Sequence, residues 1–297
     1  MNDEQARIDA LLASAGLERM QGRPLHLLPG TGNRTWRIEA DGRDVVVRLP
    51  RGDTTALVDR RHERHNAAVA ARLRLAPDLL HVAPDGAMVM AFVDGPSLAA
   101  LSRVATARLL PRLGSALRRL HQGPAFLGVM DPAAKIGLSL GEARLDGDDR
   151  QAFGRLWPAI VGLRASTALD PAWLAPCHVD PQPANVLAAG DGVVLLDWEY
   201  SAMSAPHWDL AYASVEGRLD AAGEDALLAG YGALDAAALA PWKQMARAVS
   251  AAWCMARAAI DGDEAPAWRE EVAARLAELA AALDDPRAAP QPPEGKT

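Results

Sequence analysis

The sequence predicts an α+β fold of two lobes, a small antiparallel β-sheet lobe with one main helix and a larger, mostly helical lobe. Short apolar runs separated by glycine turns fill the N-terminal third, which is typical of antiparallel strands. From Ser97 onward, apolar residues recur at helical spacing instead. A short apolar hairpin at 186–197 interrupts the helical part. We therefore expect lobes at 1–95 and 96–285 and a flexible tail at 286–297.

The composition excludes several classes of function. The chain has 297 residues, half of them hydrophobic, and a formal net charge of −7. Without a long basic stretch, nucleic acid is not expected as its main partner. No apolar run reaches the roughly 18 residues of a membrane span, and the N-terminus lacks a signal-peptide pattern. We therefore expect a cytoplasmic protein in which Cys177 and Cys254 are reduced. Cys177 adjoins His178 and is a candidate nucleophile, but a packing role is favoured for it.

The strongest chemical signal lies in the segment from His178 to Asp197. His178-x-Asp180 is followed five residues later by Asn185, and an apolar run ends at Asp197. This order matches the kinase arrangement, in which a loop aspartate handles the substrate hydroxyl and an asparagine and a second aspartate bind metal. The alternative is a surface hairpin that carries common polar residues without a function.

A hairpin would bring the two candidate metal ligands together. Gly190-Asp191-Gly192 separates two apolar runs, which indicates a tight turn. Folding the chain about Asp191 places Asn185 opposite Asp197, and directly opposed residues lie about 5 Å apart on one face. A carboxamide and a carboxylate at that distance suit Mg²⁺, which prefers oxygen ligands and shares itself with phosphates.

The loop HVDPQPANVL, followed by LLDWEYSAMSAPHWDLA, resembles the choline/ethanolamine kinase branch of the aminoglycoside-phosphotransferase-like kinases. Members of that branch carry a His-Asn/Gly-Asp-Leu-x-x-x-Asn loop, then Ile-Asp-Trp-Glu-Tyr, then Trp-Asp-Leu-Ala. The resemblance covers this core closely and the N-terminal third loosely. It implies a two-lobed protein-kinase-like fold and an ATP- and Mg²⁺-dependent phosphotransferase, with choline or ethanolamine favoured as the acceptor.

The chemistry of phosphoryl transfer assigns a role to each residue of this core. Asp180 would accept a hydrogen bond from the acceptor hydroxyl and take its proton late, while Asn185 and Asp197 hold Mg²⁺ against the phosphates. We expect His178 to bond the backbone around the loop and not to carry protons. Asp209 could cap a helix and bond back to the loop, which is a structural role.

The N-terminal third contains a candidate phosphate-binding turn at Gly30, Thr31, Gly32 and Asn33, between two apolar segments. Glycines let backbone N–H groups approach phosphate oxygens and form an anion-binding concavity. A plain hairpin explains the two glycines equally well, but the position ahead of the catalytic loop favours phosphate binding.

Arg48 occupies the position on the next strand where kinases usually carry a lysine for the α- and β-phosphates. The chain has no lysine before Lys135, and arginine can contact phosphate or carboxylate with two parallel hydrogen bonds. Residues 55–73 predict a helix, capped by Thr54 or Thr55, with Glu63 near its middle. We expect an Arg48–Glu63 ion pair; the alternative is that Glu63 is a surface charge beside the arginines of its own helix.

The lobes should meet where a strand ends at Asp94-Gly95-Pro96. The resemblance places the adenine ring of ATP against the backbone near Met90 and Phe92, between apolar side chains. An ordinary strand end is the alternative explanation for this segment.

Helices are predicted at 3–20, 106–121, 148–168, 220–235, 238–260 and 266–284. The second is expected to start nearer 110 because of Pro111, and the third to be interrupted near Trp157-Pro158. Residues 122–147 are rich in glycine and proline and predict a loop.

The acceptor pocket is the least determined part of the sequence. The chain has 8 tryptophans and only 3 phenylalanines, and aromatic rings with a carboxylate can enclose an organic cation. The aromatic candidates are Trp198, Tyr200, Trp242, Trp253 and Trp268. Glu199 would touch either a second metal ion or the acceptor. Thiamine and aminoglycosides are alternative acceptors, and a non-catalytic relative that binds a nucleotide or ligand is an alternative of another class.

Overall fold

An antiparallel sheet with the strand order β1-β2-β3-β5-β4 forms the first part of the fold. Its strands are β1 (His26–Leu27), β2 (Asn33–Ala40), β3 (Arg43–Pro50), β4 (Leu79–Val82) and β5 (Met88–Ala91). The computed structural model describes residues 3–29, 33–40, 42–50, 58–141, 147–232, 234–260 and 265–284. The predicted tail at 286–297 lies outside these residues.

Helix α1 (Asp3–Ser14) covers one face of the sheet. Its buried residues Ile8 and Leu12 pack in one apolar cluster with Trp36 and Val47 of the strands. The helix ends before residue 20, the predicted end, because Gly16 turns the backbone into the left-handed region at φ 70°.

Helix α2 (Arg60–Arg72) starts later than predicted. The carboxylate of Asp59 accepts hydrogen bonds from the amides of Arg61 and His62, so Asp59 is the N-cap. The predicted caps Thr54 and Thr55 lie outside the described residues.

The remainder of the described chain is mostly helical, and its helices pack around a large apolar cluster that includes Trp208, Met245 and Val249. The helices are α3 (Arg103–His121), α4 (Pro132–Gly141), α5 (Gly147–Gly162), α6 (Pro206–Glu216), α7 (Ala221–Tyr231), α8 (Ala240–Ile260) and α9 (Ala265–Leu283). No helix among the described residues combines the length and apolarity needed to cross a bilayer.

Three expectations for this region are wrong. Helix α3 begins at Arg103, because the Ser102 hydroxyl caps it, and it continues through Pro111. Helix α5 likewise continues through Pro158. The predicted loop at 122–147 contains helix α4, whose first turn is stabilised by the Asp131 carboxylate on an amide of that turn.

Two short strand pairs support the functional region. β6 (Ala175–Cys177) pairs with β9 (Ala202–Ser204), and β7 (Val186–Ala189) pairs with β8 (Gly192–Leu195).

The register of the second pair corrects the predicted alignment. Ala189 pairs with Gly192, so the turn has two residues and is centred between 190 and 191. Asn185 therefore lies opposite Leu196, whose amide donates to the Asn185 carbonyl at 2.8 Å. Asp197 leaves the ladder with φ 60°. The ladder brings the two candidate ligands to the same end of the hairpin, but not as a directly opposed pair.

Candidate active site

The candidate catalytic loop, residues 178–185, follows β6 and includes a residue in an unusual backbone conformation. Val179 has φ 75°, which is strained for a β-branched residue. The Asp209 carboxylate accepts hydrogen bonds of 2.8 Å from the amides of His178 and Val179. The indole of Trp208 donates to the Val179 carbonyl at 2.9 Å. These bonds compensate for the strain and fix the direction of the next residue, Asp180.

His178 is a buried structural residue of the loop. Its Nε2 donates to the carbonyl of Leu196 at 2.8 Å, and its Nδ1 accepts from the amide of Asp180 at 3.3 Å. Burial lowers the pKa of His178 to about 4, so the ring is neutral near pH 7. The ring therefore links the loop to the end of the β7–β8 hairpin, and its exclusion as a proton carrier stays a prediction.

Asp209 bonds back to the loop as predicted, but it does not cap a helix. Helix α6 begins at Pro206, and the capping position is Ala205. Asp209 lies in the first turn, where it is fully buried and also contacts His121 Nε2 at 3.1 Å. Sequence reasoning missed His121, although its place at the end of an apolar helix face was a possible signal.

Asp180 presents one free carboxylate oxygen. Its Oδ2 accepts hydrogen bonds from Gln182 at 3.0 Å and from the Asn185 amide at 2.9 Å. Its Oδ1 is buried and has no hydrogen-bond partner among the described residues. Burial raises the pKa of Asp180 to about 6, and the nearby Lys135 opposes this rise. A buried, unpaired acceptor is costly unless a ligand supplies a donor.

The donor set at the end of the hairpin fits a hard divalent cation. The Asn185 amide nitrogen donates to both the carbonyl and the carboxylate of Asp180, which leaves its own oxygen for another ligand. Burial and the charge of Glu199 raise the pKa of Asp197 above its usual range. A metal ion would relieve this shortage of positive charge, and Asn185 and Asp197 are the residues that would hold it.

Arg48 and Glu63 form the buried ion pair that the sequence predicts. Arg48 also reaches Asp197, with an N–O distance of 3.1 Å. Arg60, one helical turn before Glu63, contacts Glu63 at 2.8 Å and Glu199 at 3.4 Å. Sequence reasoning considered Arg60 only as one of the helix arginines beside which Glu63 could be a surface charge. The i,i+3 spacing of Arg60 and Glu63 indicates a contact between them.

Asn33 is the one residue of the predicted phosphate-binding turn that the structure describes. Its side-chain amide donates to Glu199 at 3.2 Å and lies 3.5 Å from an oxygen of Asp197. The preceding positions Gly30, Thr31 and Gly32 lie outside the described residues, and their role stays a prediction. The start of β2 therefore contacts the two acids that follow the hairpin.

The segment predicted to bind adenine is partly committed to the sheet. Met90 lies in β5 and pairs with Val46 of β3 and with Leu79 of β4. The Phe92 amide donates to the carbonyl of Asp44, so this amide is not free for a base. The adenine site remains a prediction that rests on Met90 and on the other linker atoms.

The ring of Phe92 packs against a charged side chain. The Arg37 guanidinium carbon lies 4.1 Å from the centre of that ring. One face of Phe92 is thus covered by a charged group, and the role of Phe92 beside the adenine ring stays a prediction.

A cleft of about 220 Å³ is lined in part by residues of α4 and by the segment that follows Asp197. Glu199, Tyr200 and Trp253 line it, and their role in an acceptor site stays a prediction. Trp242 does not line it: it is buried and stacks on His207 with ring centres 5.8 Å apart. The two tryptophans of α8 are eleven residues apart, which separates them by about 16 Å along the helix.

Lys135 is the residue of the cleft that sequence reasoning missed. It belongs to α4, and its ammonium lies 4.1 Å from the centre of the Tyr200 ring. Burial lowers the pKa of Lys135, while the charges of Asp180 and Glu199 oppose this shift. The available signal was Asp131-Pro132, a common start of a helix.

Comparison with solved structures identifies the fold as protein-kinase-like. A structure of a choline/ethanolamine kinase family protein from Mesorhizobium loti matches with a TM-score of 0.77 and 28% identity, covering 97% of this chain and 98% of that chain. The choline kinase LicA from Streptococcus pneumoniae matches with a TM-score of 0.72 and 19% identity, covering 92% and 98% of the two chains. The matching structures include complexes with AMP and with ADP.

The family follows from the sequence comparisons. The phosphotransferase enzyme family profile matches residues 26–248, and the chain belongs to this family. Protein LicA from Haemophilus influenzae is 24% identical over 225 residues, which are 70% of this chain and 62% of that protein. The chain thus spans less than two thirds of this relative. The predicted fold and family are confirmed, and the enzyme class stays a prediction.

Proposed function

We propose that this protein transfers the γ-phosphoryl group of ATP, with Mg²⁺, to the hydroxyl of a small amino alcohol. The observation that carries the proposal is the buried, unpaired Oδ1 of Asp180, whose other oxygen is fixed by the Asn185 amide. A carboxylate held in this way is prepared to accept one further hydrogen bond, and an acceptor hydroxyl supplies it.

Asp180 would orient the hydroxyl oxygen toward the γ-phosphorus and accept its proton as the new P–O bond forms. Its raised pKa of about 6 suits a group that is ionised near pH 7 and still gains basicity from burial. Bound Mg²⁺ would neutralise phosphate charge, held by the oxygen atoms of Asn185 and Asp197.

Arg48 is the proposed partner of the α- and β-phosphates. It is buried between Glu63 and Asp197, so its guanidinium is already oriented before a nucleotide arrives. A fixed planar fork loses little side-chain entropy when it binds an anion. Phosphate binding would exchange part of the Asp197 contact for a contact with the nucleotide.

The amino alcohol class is proposed from the relatives and from the cleft. The matched structures include proteins named for choline and ethanolamine, and Glu199 and Tyr200 supply a carboxylate and an aromatic ring beside Asp180. Choline and ethanolamine are therefore the first acceptors to test, followed by thiamine and an aminoglycoside.

The test is ATP consumption by the full chain with Mg²⁺ and each acceptor. Asp180→Asn should lower kcat about 100-fold or more while the Kd of ATP stays within about twofold. Asp191→Asn is the matched control, because Asp191 is exposed at the turn of the neighbouring hairpin. Equal kcat values for Asp180→Asn and the wild type would contradict the proposed base. Nucleotide binding without turnover of any acceptor would favour the non-catalytic alternative.

A further inference from the structure

The face of Tyr200 that an organic cation would use is already occupied by a cation of the protein. The Lys135 ammonium lies 4.1 Å from the ring centre, a distance at which cation–π attraction is substantial. Trp253 lines the same cleft as Tyr200. A trimethylammonium group could stack on this face only after displacing Lys135.

The charges that line the cleft are unequally satisfied. The carboxylates of Asp59 and Asp131 each accept a hydrogen bond from a backbone amide in the first turn of α2 or α4. Glu199 accepts one from Asn33. By contrast, no oxygen among the described residues accepts a hydrogen bond from the Lys135 ammonium. The Lys135 ammonium therefore contacts the Tyr200 ring and retains N–H donors that no described oxygen accepts.

Lys135 is also close enough to the proposed reaction centre to touch an acceptor. Its charge acts on both Asp180 and Glu199, the two acids on the catalytic side of the cleft. An acceptor whose hydroxyl meets Asp180 and whose body occupies the cleft would contact residues of α4, which include Lys135. An anionic group on that acceptor would complete the hydrogen bonds of Lys135, whereas a cation bound on the same face of Tyr200 would have to displace the ammonium.

We propose that Lys135 is a specificity-determining residue, which selects an amino alcohol that also carries a carboxylate over a quaternary ammonium alcohol. The inference rests on the proposed function, and it narrows the acceptor to a hydroxy amino acid of the homoserine type. Its carboxylate binds Lys135, and its amine faces the remaining lone pairs of Asp131 and Glu199.

The test compares the full-length wild type with Lys135→Met, which keeps the length of the side chain and removes its charge. With Mg²⁺–ATP, the wild type should show a higher kcat/KM for homoserine than for choline. Lys135→Met should raise the homoserine KM about tenfold and lower the choline KM about tenfold, with kcat nearly constant. Lys135→Arg should retain the preference of the wild type.

Lys243→Met is the matched control, because Lys243 is paired with Glu224 and does not line the cleft. Its ratio of kcat/KM values for the two acceptors should equal that of the wild type. A wild type that prefers choline, or an unchanged ratio in Lys135→Met, overturns the inference and leaves the phosphotransferase proposal standing. An equal loss of kcat for both acceptors also overturns it, since Lys135 would then act on the phosphoryl group.

Direct binding separates the two levels of the proposal. Calorimetric titration of the wild type and Lys135→Met with homoserine and with choline, without ATP, measures the charge preference independently of turnover. Tighter homoserine binding that is lost in the variant supports the selectivity even if no acceptor is phosphorylated, in which case only the proposed function fails. Equal binding in the two proteins contradicts the inference.

Discussion

The carboxylate of Asp209 accepts a hydrogen bond of 2.8 Å from the backbone amide of Val179, the residue that immediately precedes the proposed base. Val179 is held at φ 75°, a conformation that a β-branched residue avoids. The strain is local, and the group that compensates for it belongs to helix α6, about thirty residues later in the chain. The direction of Asp180 therefore depends on how α6 packs against the catalytic loop.

Replacing Asp209 with alanine should lower both stability and turnover. Two buried amides would lose their acceptor and His121 would lose its partner, so the free energy of unfolding should fall by about 3 kcal/mol. Released from its tether, Val179 would relax, and kcat should fall about tenfold or more because Asp180 turns away. Chemical denaturation and steady-state kinetics measure the two effects.

Asp225→Asn is the control for that variant, since Asp225 is an exposed acid of helix α7. It should leave both the stability and kcat of the wild type unchanged. An Asp209→Ala protein with normal kcat at a temperature where it is fully folded would show that the loop keeps its direction without this carboxylate.

The parts of the site that the sequence predicts are those fixed by local chain geometry. Asn185 and Asp197 flank a short hairpin, and His178 and Asp180 precede it within a few residues, so alternation and turn signals bring them near one another. The one-residue error in register arose because the turn has two residues and not three. Composition alone does not distinguish a two-residue turn from a three-residue turn.

The parts that the sequence does not predict depend on packing between distant segments. Lys135 reaches Tyr200 only because α4 forms in a stretch whose glycines and prolines favour a loop. Trp242 and Trp253 look equivalent in the sequence, yet one is in the core and the other lines the cleft. Neither distinction is encoded within a single window of the chain.

Arg48→Ala should weaken nucleotide binding more than acceptor binding. Arg48 lies between Glu63 and Asp197, and losing a charge-assisted contact with phosphate should raise the KM of ATP about tenfold. The acceptor KM should stay within about twofold. Arg34→Ala is the control on the neighbouring strand, because the Arg34 side chain is 58% exposed. A larger change in the acceptor KM would instead assign Arg48 to the acceptor.

The buried ring of His178 should make stability depend on pH. Its pKa is lowered by burial from 6.5 to about 4. Between these pH values the unfolded chain binds a proton that the folded protein does not, so stability falls as pH falls. The loss should total about 3 kcal/mol by pH 4.

Unfolding free energies of the wild type and His178→Asn between pH 7 and 4.5 provide the measurement. The variant should show a smaller loss of stability over this range, whatever its stability at pH 7. The comparison with the wild type is needed because the raised pKa of Asp180 contributes with the opposite sign. His26→Asn, at an exposed position of β1, should keep the slope of the wild type. Identical slopes for His178→Asn and the wild type would mean that the folded protein protonates this ring.

Gly95 lies in the linker after β5 and packs against β7, the strand that follows Asn185. Its φ is 146°, and a Cβ at this position would lie 1.9 Å from the carbonyl oxygen of Ala188. The amide of Ala188 donates to the carbonyl of Pro96 at 2.9 Å. Gly95→Ala must therefore separate the linker from β7, which should lower the free energy of unfolding by about 2–4 kcal/mol.

The same displacement should reach the site, because β7 begins directly after Asn185. We expect kcat to fall in Gly95→Ala even under conditions where the protein is folded, as measured by kinetics alongside chemical denaturation. Gly154→Ala is the contrasting variant, since Gly154 lies in α5 with no atom near an added Cβ, and it should be neutral or stabilising by about 0.5–1 kcal/mol. If Gly95→Ala lowers stability but not kcat, the linker contact serves only to hold the fold together, and the hairpin keeps its geometry without it.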